Sequence, residues 1–91
     1  MLILPIKKKW FDMILSGEKK EEYREIKPYY ISRFCGLCRA DIHEIRFRNG
    51  YSKQSPSFVA RCMIGHGHGR PEWGAEEGKE YYVLKILEVI K

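Results

Sequence analysis

The chain has 91 residues, of which 44% are hydrophobic and 32% charged, and its net charge at pH 7 is +5. This length predicts one domain over residues 1–91, and the composition is that of a globular protein rather than a disordered one. No apolar run approaches the roughly 20 residues that cross a bilayer, and the N-terminal M-L-I-L-P-I is too short for a signal peptide. We therefore expect a cytoplasmic protein with no membrane partner, monomeric by default.

The first part of the chain predicts a strand followed by a helix. Leu2 to Pro5 is expected to form a short buried strand that ends at the proline. The helix is predicted from about Lys8 to Ser16, because apolar residues recur there with helical spacing: Trp10, Phe11, Ile14 and Leu15. Gly17 is the residue type expected where a helix stops with a positive φ. The lysines at residues 7–9 either extend into solvent or, together with the free N–H groups of the helix start, form a phosphate site.

The remaining elements are mostly strands. The predicted elements are a short helical turn over Tyr29 to Phe34, strands over Ile42 to Arg48, Phe58 to Ile64 and Tyr81 to Ile90, and a loop over Gly65 to Gly78. The last strand carries apolar residues at both parities, which is typical of burial on both faces. About five strands and one main helix in a short chain indicate an α+β fold built on a small barrel, which closes the sheet and removes its open edges.

The densest run of opposite charges is S-G-E-K-K-E-E-Y-R-E, residues 16–25. Side chains alternate faces along a strand, so Glu22 and Arg24 are expected on one face and Tyr23 on the other, anchoring the strand in the core. Lys19 lies at the start of this strand and can reach the same side as Glu22 and Arg24. The pattern predicts a charged floor of a cleft, in which the two cations bind phosphate or carbonyl oxygen. The alternative is an exposed strand with ion pairs of little consequence.

The spacing Gly17-x-Lys19-x-x-Glu22-x-Arg24 resembles the G-x-K-x-x-E-x-R motif of the ASCH domain family, in the PUA-like superfamily. The likeness extends to the lead-in L-P-I-K-K-K-W-F-D-M-I-L-S-G and to the segments R-F-R-N-G-Y and G-R-P-E-W-G, as in small stand-alone and phage-borne members. This resemblance implies a five- to six-stranded PUA-like β-barrel with one main N-terminal helix and short helical turns. It also implies that Lys19, Glu22 and Arg24 line a cleft for RNA or a nucleotide.

A second candidate site combines basic residues with an aromatic residue. Its members are Arg46, Arg48, Asn49, Tyr51 and Lys53. Cations that meet phosphates and a ring that stacks on a base suit single-stranded nucleic acid. The alternative is that Tyr51 caps the end of the barrel and the arginines form a solvated face.

Trp73, in the glycine-rich segment of residues 69–74, is either a stacking platform for a ligand or a plug over the core. Glu76 and Glu77 follow it as possible further carboxylates of the cleft.

Cysteine and histidine spacing raises the question of zinc. Cys35 and Cys38 have the C-x-x-C spacing of zinc ligands, and the residues that would complete the set are Cys62, His66 and His68. No second C-x-x-C or H-x-x-x-H follows, an odd cysteine count indicates reduced thiols, and the family resemblance implies no zinc. We therefore predict no metal and no cofactor, with His66 and His68 in a surface loop.

These observations favour a binding module for RNA, a nucleotide or a modified nucleoside, and leave open whether the chain is an enzyme. Some small ASCH proteins hydrolyse amides on modified cytidine with a Lys, a Thr and a Glu, and others are ribonucleases. Lys19 matches the lysine, but Glu22 stands where the threonine is expected, so the hydroxyl nucleophile is missing. Lys19 and Glu22 are the catalytic candidates if the chain is an enzyme. A basic surface for a protein partner is a third possibility that no particular motif supports.

Overall fold

The computed structural model describes residues 2–35 and 41–90, which form an α+β fold of five strands and two helices. The strands are β1 (Leu2–Ile6), β2 (Glu21–Glu25), β3 (His43–Asn49), β4 (Ser57–His68) and β5 (Glu80–Val89). The helices are α1 (Lys8–Leu15) and α2 (Pro28–Phe34), and a 3₁₀ turn spans Pro71–Trp73. The predicted α+β class, the main N-terminal helix and the short helical segment after β2 are confirmed.

The five strands form one sheet in the order β1-β3-β4-β5-β2, curled into a half-barrel. β1 runs parallel to β3, and the other neighbouring pairs are antiparallel. β1 and β2 are therefore the two edge strands, although they are the first two strands along the chain. Both edges carry residues of the candidate site, so the topology brings the N-terminal segment and the charged stretch to the opening of the half-barrel.

The core fills the concave side of the curled sheet. Alternation places Ile45 and Phe47 of β3 inside, as predicted, with Arg46 and Arg48 on the outer face. The buried apolar cluster also includes Leu4, Ile6, Phe11, Ile14, Phe34, Phe58, Ala60, Cys62, Ile64, Tyr82 and Leu84. Both helices thus cover the concave face, because their apolar side chains supply what the sheet alone cannot bury.

The apolar stripe of α1 explains why this segment forms a helix against the core, and the helix ends just before Gly17. Phe11 and Ile14 are buried, while Leu15 at the helix end is 42% exposed. Gly17 has φ 86°, as predicted, and the turn delivers Lys19, whose N–H donates to the Met13 carbonyl at 2.9 Å. Within residues 2–35 and 41–90, neither helix has the length and apolar character to cross a membrane.

Two predicted strand ends and one predicted burial pattern are wrong. β1 continues past Pro5 to Ile6, because an edge strand tolerates a residue that donates no ladder hydrogen bond. β4 continues through the glycine-histidine repeat to His68, because β5 pairs with β4 from Ala60 to His68 and supplies the backbone hydrogen-bond partners. β5 is buried on both faces only in its first half, since Leu87 is 45% exposed.

Candidate functional site

Three buried charges form the centre of the site, and all three belong to the stretch singled out from the sequence. Lys19 Nζ lies 3.0 Å from Glu22 Oε1, and Arg24 Nη2 lies 2.8 Å from Glu22 Oε2. Their side chains are 1%, 7% and 11% exposed for Lys19, Glu22 and Arg24, so the alternative of an exposed strand with weak ion pairs is wrong. Two cations around one carboxylate leave this charged triad with one net positive charge.

Lys19 is completely enclosed by the protein. Its ammonium donates to the Trp73 carbonyl oxygen at 2.6 Å and lies 4.6 Å from the Trp10 ring centroid and 5.0 Å from that of Tyr23. Burial lowers the pKa of Lys19, and the neighbouring Glu22 carboxylate counteracts this by favouring the ammonium. Lys19 therefore holds the loop at Trp73 against the triad, and it does not line the cleft described below.

Arg24 connects the two edges of the sheet. Its Nη2 also donates to the Pro5 carbonyl of β1 at 2.9 Å, and its Nη1 donates to the Tyr30 hydroxyl of α2 at 3.1 Å. Its Nε is buried without a hydrogen-bond partner among the described residues. An unpaired buried N–H costs about 1–3 kcal/mol, so this donor lowers the stability of the site, and a ligand in the cleft meets Arg24 at the atoms that line the cleft.

An open cleft of about 650 Å³ lies at this seam between β1 and β2. Its lining residues come from both edge strands, both helices and the loops after β3 and before β5: Pro5, Ile6, Lys7, Trp10, Glu22, Tyr23, Arg24, Glu25, Lys27, Tyr30, Tyr51, Gly74, Glu76, Lys79 and Tyr81. The volume lies within the range of pockets for small organic ligands. Aromatic rings and charged groups therefore meet in one concave site.

The charges at the rim of the cleft are partly neutralised. Glu25 pairs with Lys79 at 2.8 Å and with Lys27 at 3.3 Å. The Lys79 and Lys27 ammonium groups lower the pKa of the Glu25 carboxyl, and Glu25 in turn raises the pKa of Lys79. Lys7, at the start of α1, forms no ion pair within the part of the chain that the structure describes. Lys7 therefore differs from Arg24, Lys27 and Lys79, the other cations that line the cleft, each of which pairs with a carboxylate.

Tyr23 lies on the opposite face of β2 from Glu22, as predicted, but it is outside the core cluster and only partly buried. Its hydroxyl donates to Glu21 Oε1 at 2.7 Å and accepts from the Arg70 N–H at 3.0 Å. Burial and Glu21 raise the pKa of Tyr23 above its ordinary value. A second tyrosine, Tyr81, accepts from the Glu76 N–H at 2.9 Å. The two hydroxyls fix the loop before β5.

The second predicted site is divided between two surfaces. Tyr51 is 90% exposed and borders the cleft. Arg46 and Arg48 lie on the outer face of β3, and Arg46 Nη1 donates to Ser57 Oγ at 2.8 Å. Asn49 ends β3, and Lys53 is exposed in the following loop.

Trp73 contributes its carbonyl rather than its ring to the charged triad. The ring is partly buried, lies 5.0 Å from the Arg70 guanidinium and does not line the cleft. Of the two following carboxylates, Glu76 borders the cleft and Glu77 does not.

Sequence reasoning missed the aromatic wall of the cleft. The sequence pattern places Trp10 only on the apolar stripe of α1, yet its ring centroid lies 4.6 Å from Lys19 Nζ and 4.7 Å from Lys9 Nζ. Tyr30 was assigned only to a helical turn. The lysine run next to Trp10 is the one local pattern that indicates a cation–aromatic contact, and no local pattern indicates the role of Tyr30.

The cysteines and histidines considered as zinc ligands do not form a metal site within the described part of the chain. Cys38 lies outside the described residues. Among residues 2–35 and 41–90, no three His, Cys, Asp or Glu side chains are placed to hold a metal ion. His66 and His68 lie on β4 rather than in a loop, and Cys62 is buried in the core, where burial raises the pKa of its thiol to about 12.

Comparison with known proteins finds no relative: no protein-family model, no curated protein and no solved structure matches the chain. The function must therefore be inferred from the geometry of the cleft.

Proposed function

We propose that the chain is an RNA- or nucleotide-binding module of the ASCH type, with a PUA-like fold, and that its ligand lies in the cleft over Glu22 and Arg24. The observation that carries the proposal is Arg24, which lines a cleft of about 650 Å³ at the seam of the half-barrel and whose side chain is 11% exposed. A guanidinium held by three protein oxygens has a fixed orientation, so little conformational entropy is lost when a ligand binds it.

The chemistry of the cleft suits a nucleotide. At the wall of the cleft Arg24 donates to a carbonyl, ring nitrogen or phosphate oxygen of the ligand, and the remaining lone pairs of Glu22 accept from a nucleobase amine. Trp10, Tyr30 and Tyr51 border the same space. The exposed ring of Tyr51 offers a surface on which a base can stack, at about 1–3 kcal/mol.

Lys7 and the start of α1 provide a place for a phosphate. The helix has no side-chain cap and no acidic residue in its first turn, so its first N–H groups stay available. Lys7 precedes the helix and lines the cleft. Helix N–H groups and a lysine together favour a bound anion. Because they lie beside the aromatic side chains of the cleft, a nucleotide can place its phosphate there and its base next to those side chains.

The family assignment is supported by the G-x-K-x-x-E-x-R spacing and by the buried contacts among its charged members. A curled five-stranded sheet with a helix after the first strand is compatible with a PUA-like barrel. The contacts from Lys19 through Glu22 to Arg24 explain why the motif has these three charged residues, because together they hold Arg24 in one orientation at the cleft.

Binding is better supported than catalysis. An acid–base role for Lys19 and Glu22, in a hydrolase for modified nucleosides or a ribonuclease, requires Lys19 to reach the substrate. Its ammonium is instead occupied by the Trp73 carbonyl and Glu22, and the side chain is 1% exposed. Incubation with acetylated cytidine and with RNA separates the two functions. Turnover that disappears in Lys19→Ala would favour the enzyme, whereas no turnover at high protein concentration would favour the binder.

The test of the proposal is titration with short single-stranded RNA at several salt concentrations. Each neutralised phosphate should contribute about −0.7 to the slope of log affinity against log salt. Tyr51→Ala removes a ring that is 90% exposed, so it should weaken binding about 5- to 150-fold without unfolding the protein.

The matched control is Tyr29→Ala, which removes a ring that is 57% exposed and outside the cleft, and it should leave affinity unchanged. A salt slope near zero, or equal affinity in the Tyr51 and Tyr29 variants, would contradict the proposal.

A further inference from the structure

We propose that the ligand is a single-stranded nucleic acid polymer rather than a free nucleotide, and that the strand leaves the cleft past Tyr51 and continues along the outer face of β3, where Arg48 and Arg46 contact its phosphates. This inference rests on the proposed function and adds the length of the ligand and its path.

The outer face of β3 adjoins the wall of the cleft. Pro5 of β1 lines the cleft and is the direct register partner of Arg48 on β3. Neighbouring strands are about 4.8 Å apart, so Arg48 begins one strand spacing from the cleft. Arg46 is two residues further on the same face, a step of about 6.6 Å that is comparable with the spacing of phosphates along an extended strand.

These arginines lack the carboxylate partners that their neighbour has. Within residues 2–35 and 41–90, neither Arg46 nor Arg48 is within 4.0 Å of a carboxylate oxygen, whereas Arg61 forms two such pairs. Arg61 lies on the same outer face of the next strand, where it pairs with Glu44 at 3.8 Å and with Glu88 at 2.9 Å. The positive charge without a carboxylate partner therefore forms a narrow track along β3, from Arg48 to Arg46. The track ends where Glu44 pairs with Arg61.

Tyr51 stands where the track meets the cleft. It follows the turn at Gly50, whose φ of 120° reverses the chain after β3, and its ring is 90% exposed. A tyrosine in solvent beside an aromatic-lined cleft and a cationic strand has the composition of a single-strand binding surface, where rings stack bases and cations follow the backbone. Lys53, exposed two residues later, adds charge to the same end.

The experiment measures affinity for cytidine oligonucleotides from one nucleotide to about eight, because cytosine carries the amine that Glu22 would accept from and single-strand sites span a few nucleotides. Affinity should rise with length over the first several nucleotides and then level off. The double variant Arg46→Gln/Arg48→Gln should lower the affinity for the longest oligonucleotide at least about tenfold and reduce the magnitude of its salt slope by about 1.4, with mononucleotide binding unchanged. The matched control is Lys85→Gln, which removes an exposed cation of β5 that forms no ion pair within the described residues.

The outcomes distinguish this inference from the proposed function. If the mononucleotide binds as tightly as the longest oligonucleotide, the polymer track is refuted and the nucleotide cleft stands. If no oligonucleotide of any length binds, the proposed function fails as well. If the double variant and Lys85→Gln bind the longest oligonucleotide equally, the path over β3 is wrong. The length dependence of the unmodified protein decides the first question even if the double variant fails to fold.

Discussion

Glu22 is the residue whose neutralisation tests the charged triad most severely. In Glu22→Gln the side chain keeps its shape and one carbonyl oxygen but loses its charge. Lys19 and Arg24, 3.0 Å and 2.8 Å from the carboxylate and 1% and 11% exposed, then become buried cations with no neutralising partner in the triad. Removing one member of a buried ion pair costs about 3–5 kcal/mol, whereas a domain of this length has a total stability of about 5–14 kcal/mol. We expect Glu22→Gln to remove about a fifth or more of the free energy of unfolding.

The assay is urea denaturation followed by tryptophan fluorescence, with the free energy of unfolding extrapolated linearly to water. The control is Glu44→Gln, whose carboxylate is 51% exposed and 3.8 Å from Arg61, and it should change stability by no more than about 0.5 kcal/mol. Adding Lys19→Met to Glu22→Gln removes one unpaired charge and should recover at least about 1 kcal/mol. Equal losses in Glu22→Gln and Glu44→Gln would refute the reasoning that the triad is buried and mutually dependent.

Three further predictions concern the loop and the core. Gly69→Ala should destabilise the protein by about 1–3 kcal/mol in thermal or urea unfolding, because the new Cβ would lie 2.6 Å from the Tyr23 ring. Gly65→Ala should be close to neutral, because a Cβ there meets no atom of the described residues within 4 Å, and equal effects of the two substitutions would contradict the packing. Tyr23→Phe should cost about 0.5–1.5 kcal/mol and speed hydrogen exchange at the Arg70 N–H, and unchanged exchange there would exclude the hydroxyl as the anchor of the loop. Because burial raises the pKa of Cys62 from 9.0 to about 12, the unfolded thiol releases its proton first, so stability should fall with pH from about 9 to 12. Cys62→Ala should flatten that decline, and a decline of equal steepness in the variant would assign it to other groups.

The sequence predicts local features of the site well. Gly17 ends α1 with a positive φ, and alternation along β2 places Glu22 and Arg24 on one face, since both outcomes depend on neighbouring residues alone. The contacts that make these residues a site depend on distant segments. The partner of Lys19 is the carbonyl of Trp73, 54 residues away, and Arg24 donates to the carbonyl of Pro5, 19 residues away. A backbone carbonyl belongs to every residue type, so no sequence pattern identifies it as a partner.

The same reason explains the errors in the strands. The repeat at residues 65–69 has the glycine content of a loop, but β5 pairs with it opposite Tyr81, Tyr82 and Val83 and so extends the sheet. Local composition carries no information on that pairing. Burial of Lys19 was likewise not predicted, because a lysine is ordinarily exposed and only the enclosing rings and carboxylate show that this one is not.

The most direct test of the central claim is the NMR signal of the Arg24 side-chain Nε–H during titration with single-stranded RNA. The proposed site predicts that this signal shifts progressively as the ligand binds beside the guanidinium. An Arg24 signal that stays unchanged while RNA binds and shifts signals elsewhere would show that the ligand does not occupy the cleft over Glu22 and Arg24.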